Sequence, residues 1–316
     1  MTHTILWIAF AVTILFFLAL DLGVLHRQAH TVTLREAGLW SALWAGLAMA
    51  FAGGVFLFRG HTAGLQFLTG YVIELSLSVD NVFLFAVIFT YFQVPARYQH
   101  RVLSWGVFSA VVMRGIMIAA GAALFRQFAW IIYVFGAFLI LTGIKLFLRR
   151  NERADISKNP LIRWLQRALP FTERYDGQKF FTQIDGVRYS TPLLLVLTLV
   201  ESTDLLFALD SIPAVFAVTR DPFIVFTSNI FAILGLRSLY FLLAGIMGLF
   251  RYLSVGLSAI LVFVGVKMLA SAWGLHIPIE VSLPVIAGIL ALSIGASLLT
   301  AHRERSRALP KPIGQR

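Results

Sequence analysis

The chain contains no cysteine. Disulfides, thiolate metal sites and thiol nucleophiles are thereby excluded. Charge is scarce too: Asp, Glu, Lys and Arg make up 13% of the 316 residues, where a water-soluble domain carries about 25%. Acids are the scarcer sign, 15 against 26 bases, for a net charge of +11. A basic excess can serve nucleic acid. Here most Lys and Arg sit in a few loops between apolar runs, so no nucleic-acid partner is expected. None of the seven histidines falls in the middle of an apolar run. The alternation of polar and apolar residues over about 10 positions that marks a membrane barrel is missing. So are a Ser-His-Asp set, a zinc signature and a phosphate loop, and the chain is not expected to be an enzyme. The first apolar run, Ile5 to Leu20, follows an uncharged Met1-Thr2-His3-Thr4. With no basic n-region and no small-residue cleavage site, it is expected to be a retained helix and not a signal peptide.

What remains is apolar. Hydrophobic residues make up 59% of the chain, and its mean hydropathy is +0.84. Runs of about 20 apolar residues recur, each long enough to cross a bilayer as a helix. An all-α polytopic membrane protein is expected, in contact with the lipid bilayer, with nine transmembrane helices at 5–25, 37–58, 65–91, 102–123, 127–148, 190–218, 223–247, 252–273 and 282–301. The connecting loops alternate in base content. One set holds 19 Lys and Arg, including Arg27, Arg35, Arg97, Arg101, nine bases from Arg149 to Arg188, Arg251 and the C-terminal tail; the other holds only Arg59, Arg126 and Arg220. The positive-inside rule places the first set in the cytoplasm. The expected location is the cell inner membrane, with a periplasmic N-terminus and a cytoplasmic C-terminus. In the one long loop, Leu161, Trp164, Leu165, Ala168 and Leu169 with Arg163 and Arg167 suit a basic amphipathic surface helix. Asp185-Gly186, between Phe180–Ile184 and Val187–Tyr189, is a hairpin signal.

One pattern occurs twice. Ser78, Asp80, Phe83, Arg114, Leu124-Phe125-Arg126 and Gly143-Ile144-Lys145-Leu146 are matched by Ser202, Asp204, Phe207, Arg237, Leu249-Phe250-Arg251 and Gly265-Val266-Lys267-Met268. Each copy covers three spans, an odd number, so the second copy enters the membrane from the opposite side. That is an inverted-topology repeat, whose binding site lies between the copies near the midplane. The chain divides accordingly: 1–64, two N-terminal spans; 65–148, the first repeat; 149–189, a cytoplasmic loop; 190–273, the second repeat; and 274–316, the last span and a basic tail.

Ionisable groups at membrane depth are costly and tend to be functional. The third span carries Glu74, Asp80 and Asn81, and the sixth carries Glu201, Asp204 and Asp210; Asp21 lies near the inner end of the first. Glu201 and Asp204 share a helical face. Glu74 and Asp80, like Asp204 and Asp210, are six apart and diverge on a continuous helix. Pro213 and Ser211 point to a break in the sixth span, and Ser76, Ser78 and Asn81 to an irregular stretch in the third, as broken helices that line a cavity allow. Against these six acids stand Arg114, Lys145, Arg237 and Lys267. The deficit of two positive charges matches one divalent cation, although Asp21, Lys145 and Lys267 lie near span ends and can snorkel to water. An all-oxygen ligand set suits magnesium, calcium or manganese. The plainer expectation for Arg114 and Arg237 is that each pairs with one acid and staples helices. Three acids within ten residues of the sixth span exceed what two arginines neutralise, and point to a metal or proton site.

At these residues the chain resembles the TerC family of integral membrane proteins, particularly its Alx-type branch. The resemblance is carried by Leu20-Asp21-Leu22-Gly23 with His26-Arg27, by Glu74-Leu75-Ser76-Leu77-Ser78-Val79-Asp80-Asn81, and by Glu201-Ser202-Thr203-Asp204 with Asp210-Ser211-Ile212-Pro213-Ala214. It implies efflux of manganese from the cytoplasm, with the acids of the third and sixth spans as ligands of the transported ion and no prosthetic group, and kinship with LysE-type transporters. A tellurium oxyanion, the source of the family's name, would meet a net-negative core. Two other functions compete: proton-coupled export of a small organic solute, which metal titration discriminates, and a non-transporting role as membrane partner in secretion or metallation of exported proteins, which an alanine at Asp80 would leave intact.

Overall fold

The computed structural model describes residues 7–8, 10–14, 16, 33–128, 130–148, 164, 169–244, 252–275 and 277–308. Eight long helices lie in order: α1 (Leu34–Arg59), α2 (His61–Tyr91), α3 (Ala96–Gln127), α4 (Ile131–Leu148), α5 (Pro192–Phe216), α6 (Pro222–Ala244), α7 (Leu253–Ala272) and α8 (Ile279–Ala308). All eight are long and apolar enough to cross a membrane. They correspond to the second to ninth expected spans, and the described part of the first, within residues 7–16, is helical. Asp21, the Leu20–Arg27 motif and most of the expected amphipathic helix at 161–169 lie outside the described residues.

The helix starts follow from local chemistry. Thr33 caps α1 by accepting from the Glu36 amide at 3.3 Å, a Thr-x-x-Glu start. Pro192 opens α5, where its missing N–H has no partner to lose. Gly60, at φ +90°, turns α1 directly into α2. A helix apolar on every face belongs at the centre of a bundle. That helix is α6: its most apolar window is 83% buried, against 17% in α8. It packs on α1, α2 and α3, while α5 packs on α2 and α3, and α4 pairs with α7.

The α4–α7 contact is close because glycines line it. A Cβ on Gly136 would stand 3.2 Å from the Gly265 carbonyl oxygen, and one on Gly265 would stand 2.8 Å from that of Gly136. Two turns further along, the Ser258 hydroxyl donates to the Gly143 carbonyl at 2.7 Å. Residue numbers rise on one helix as they fall on the other, so the two run antiparallel. The same holds for α2 and α5, where Gly70 approaches Val215 and Arg114 bridges Glu74 to Ser211.

The loops sort onto two faces. The Asp185-Gly186 signal forms a two-residue turn, at φ +51° and +79°, between β1 (Phe181–Ile184) and β2 (Val187–Ser190), paired from Phe181↔Ser190 to Ile184↔Val187. The segment before it packs on the α2–α3 turn: the Tyr175 hydroxyl donates to the Phe92 carbonyl at 2.7 Å, and Arg101 lies over the Phe180 ring at 5.3 Å. Asp176 is held below the usual carboxylate range by hydrogen bonds from Lys179 and Thr182. On the opposite face Arg59 pairs with Asp221 at 2.7 Å, and Thr219 donates to Gln66 at 2.9 Å. Arg101 and the long loop thus share one face, and Arg59 and the 217–221 turn the other, matching the two loop sets read from base content.

Candidate ion-binding site

The helices α2 and α5 are continuous through the acidic motifs. The expected breaks are therefore absent. Pro213 lies only three residues before the end of α5, so its missing N–H frees a single carbonyl and its ring is accommodated in the last turn. In α2 the Ser76 hydroxyl donates to the Val72 carbonyl one turn back, which satisfies that side chain without unwinding the helix.

Continuity disperses the six candidate ligands. Glu74 and Asp204 meet at Arg114 of α3. The guanidinium forks across Asp204, with Nη2 at 3.0 Å from Oδ1 and Nε at 3.4 Å from Oδ2, and Nη1 donates to Glu74 Oε2 at 2.7 Å and to Ser211 Oγ at 3.4 Å. Arg114 and Glu74 are each 1% exposed and Asp204 4%. Burying such groups singly costs several kcal/mol each, which is offset here by mutual attraction and by saturated hydrogen bonding. Arg114 thus holds two acids where one was expected, and with both ionised the trio keeps one negative charge. The far oxygen of Glu74 accepts from Asn229 Nδ2 of α6 at 2.5 Å.

Glu201, one turn before Asp204 on the same face of α5, accepts from the Ser109 hydroxyl of α3 through Oε1. Its Oε2 is buried without a partner. Asp210 faces away, toward α4, where Thr142 donates to it at 3.2 Å and Lys145 adds its charge. Asp80 is half-buried, and among the described residues no hydrogen bond joins it to the cluster. Asn81 is buried, with Oδ1 unpartnered. Arg237 is buried and donates to Ser104 at 3.2 Å. Lys267 is buried, and the charge of Glu280 of α8 acts on it.

Ser109, Thr142, Asn229 and Glu280 escaped the sequence reading. Asn229 carried a signal, being an amide deep inside an apolar span; the two hydroxyls are too common in membrane helices to stand out. Three buried oxygens around these acids lack donors: Asn81 Oδ1, Glu201 Oε2 and Asn229 Oδ1. The Asn229 orientation is fixed, because its amide nitrogen is the atom that can donate to Glu74. An orphaned buried acceptor costs about 1–3 kcal/mol, a cost that a cation or a donor such as water relieves. Among the described residues no three Asp, Glu or His side chains converge as a preformed metal cage.

Two hollows lie in this part of the bundle, the first with room for about one water. A narrow cleft at the cluster is lined by Glu201, Asp204 and Arg237 with Phe85, Leu103 and Gly106. A polar recess lined by Gln66, Phe216, Thr219 and Arg220 opens on the Arg59–Asp221 face.

Comparison with known proteins agrees with this architecture. The chain is 58% identical over 297 residues to an uncharacterized membrane protein of Myxococcus xanthus, covering 94% of this chain and 93% of that one. It is 50% identical over 298 residues to Alx of Escherichia coli (strain K12), whose name proposes a membrane-bound redox modulator, with 92% of each chain covered. It is 44% identical over 288 residues to the chloroplastic thylakoid membrane protein TERC of Arabidopsis thaliana, covering 91% of this chain and 74% of that one. No solved structure matches. The profile of the integral membrane protein TerC family matches residues 59–306, and the chain belongs to that family.

Proposed function

We propose that this protein is a carrier and not an enzyme, and that it exports a divalent cation, manganese foremost, from the cytoplasm across the cell inner membrane. The observation that carries the proposal is the pair of buried carboxylates at Glu74 and Asp204, with the half-buried Glu201 one turn away and three buried oxygens that lack donors. Such a set is short of positive charge and of hydrogen-bond donors at once, and a hard divalent cation supplies the first and removes the need for the second. Oxygen ligands alone favour manganese, magnesium or calcium over zinc and copper. The ion binds at Glu74, Asp204 and Glu201, with Asn81 and Asp80 further along α2, and Asp210 on its own branch of the path.

Alternating access between the hairpin face and the recess on the other face is the transport step. An inverted repeat supplies the moving parts: the reciprocal approach of Gly136 to Gly265 and of Gly143 to Ser258 is what a half-turn exchanging α4 with α7 would produce, and α2 and α5 are antiparallel as the repeat requires. The bases of the hairpin face favour the cytoplasmic side for it, with the N-terminus outside and the C-terminus inside. Protons compete with metal for the same oxygens, so protonation from the periplasm releases the ion and drives export. The relative's redox title cannot translate into thiol exchange here, because this chain has no cysteine. The test is uptake into proteoliposomes of purified protein, comparing manganese, magnesium, calcium and iron(II). Saturable manganese flux supports the proposal, and flux of none of the four refutes it.

A further inference from the structure

The recess on the Arg59–Asp221 face stands on the three helices that hold the acidic cluster. It is lined by Gln66 of α2, before Glu74, by Phe125 of α3, after Arg114, and by Phe216 of α5, after Asp204. The helical rise puts these residues about 12–18 Å beyond the cluster along the axes. The recess has a volume of about 360 Å³. Arg220, exposed where it lines the recess, makes it a poor resting place for a cation and suits it to be a passage.

Between recess and cluster the bundle is closed by apolar side chains. Ile73 of α2, Ile118 of α3 and Ile212, Val215 and Phe216 of α5 pack in one cluster, none more than 4% exposed. Of these, Phe216 lines the recess. Its ring lies 5.0 Å from that of Phe125 and fills a notch at Gly121, where a Cβ would stand 2.8 Å from it. An apolar constriction of this kind stops an ion, because the ion's water cannot follow it.

The segment that carries Phe216 can move as a unit. Pro213 has no N–H, so the Leu209 carbonyl one turn back loses its ladder bond and the helix is weakened there. Beyond that point the chain is bonded to itself: the Ala217 amide donates to the Pro213 carbonyl at 3.0 Å, and the Thr219 amide to that of Val215 at 3.1 Å. The far end is held by side chains, Thr219 donating to Gln66 at 2.9 Å and Arg59 pairing with Asp221 at 2.7 Å. Both contacts can be released without unfolding a helix.

Resting on the reading of a transported cation, we propose that residues 213–221 are a lid, closed in this structure, with Phe216 as its plug, Pro213 as its hinge and the Thr219–Gln66 bond as its latch. Opening withdraws the Phe216 ring from the notch at Gly121 and joins the recess to the acidic cluster.

The experiment places a thiol beneath the plug, as Ile118→Cys in the cysteine-free chain, and follows its reaction with a charged thiol reagent in purified full-length protein. A minor open state, at most about one part in ten, gives slow labelling, so Phe216→Ala speeds it about tenfold or more. Phe216→Leu speeds it less and serves if the alanine variant does not fold. Ile230→Cys, fully buried on α6, stays unreactive in every background. Manganese flux into proteoliposomes is measured alongside for the pair Gln66→Cys/Thr219→Cys, before and after a short cleavable bis-thiol reagent joins the two. Flux falls to the level of empty liposomes when the latch is locked and returns on cleavage. Labelling of Ile118→Cys that neither Phe216 variant changes refutes the lid. Equal speeding of Ile230→Cys makes Phe216 a packing residue alone and refutes it too. Full flux through the locked protein refutes the lid with the cargo intact. Wild type that carries no manganese overturns the cargo reading, and the labelling rates then decide the lid by themselves.

Discussion

Asp204→Asn should cost much less stability than Arg114→Gln, although the two residues share one ion pair. The reason is the charge of the buried trio. Asp204→Asn removes one of two acids and leaves Arg114 neutralised by Glu74 at 2.7 Å; the loss is limited to charge-assisted hydrogen bonds, about 1.5–3 kcal/mol. Arg114→Gln removes the only base and leaves two buried acids facing each other, at a cost of about 3–5 kcal/mol from broken pairing and further repulsion. The assay is thermal unfolding of metal-free full-length protein in detergent at neutral pH. Arg114→Gln should lower the midpoint at least twice as far as Asp204→Asn, and adding Glu74→Gln and Asp204→Asn to Arg114→Gln should recover much of the loss, because a neutral cluster has no charge to strand. If Asp204→Asn is the more damaging, charge balance is not what holds the three helices together here.

Three further expectations follow from the packing and the loops. Gly265→Ala should destabilise by about 1–3 kcal/mol, since its Cβ would stand 2.8 Å from a backbone oxygen of Gly136, whereas Gly288→Ala, in open space, should be neutral or slightly stabilising in the same melting assay. In cells with a permeabilised outer membrane, an impermeant thiol reagent should label Leu275→Cys and not Gln183→Cys; the reverse pattern overturns the orientation, and the cysteine-free parent makes the readout clean. Gly186→Val should disrupt the hairpin, because a β-branched residue at φ +79° is strained, and the loop should become a preferred site of limited proteolysis.

Much of this molecule was legible without coordinates, for physical reasons. Spans such as Leu253–Ala272 are continuous apolar runs that nothing but a membrane helix accommodates. The hairpin was legible because Asp185-Gly186 is a local instruction, needing no partner elsewhere in the chain. The site was legible in its members and not in its grouping. Whether Glu74 or Asp80 faces Asp204 depends on helix rotation, and the break expected in the sixth span left the direction of Asp210 open. In the continuous helix Asp210 turns to Thr142. The double grip of Arg114 was hidden for the same reason: spacing tells which residues share a face, but which faces meet is decided by packing such as the approach of Gly70 to Val215 and Ser228.

The central claim is that the buried carboxylates at Arg114 carry the transported ion. Manganese flux into proteoliposomes should therefore be measured for wild type and for Asp204→Asn matched in amount, fold and membrane insertion. Asp204→Asn removes one charge and keeps the shape and one oxygen, so the account predicts saturable flux for wild type and flux at the level of empty liposomes for the variant. Wild-type flux from a well-folded Asp204→Asn protein would contradict it and leave Glu74, Asp204 and Arg114 as a staple between α2, α3 and α5.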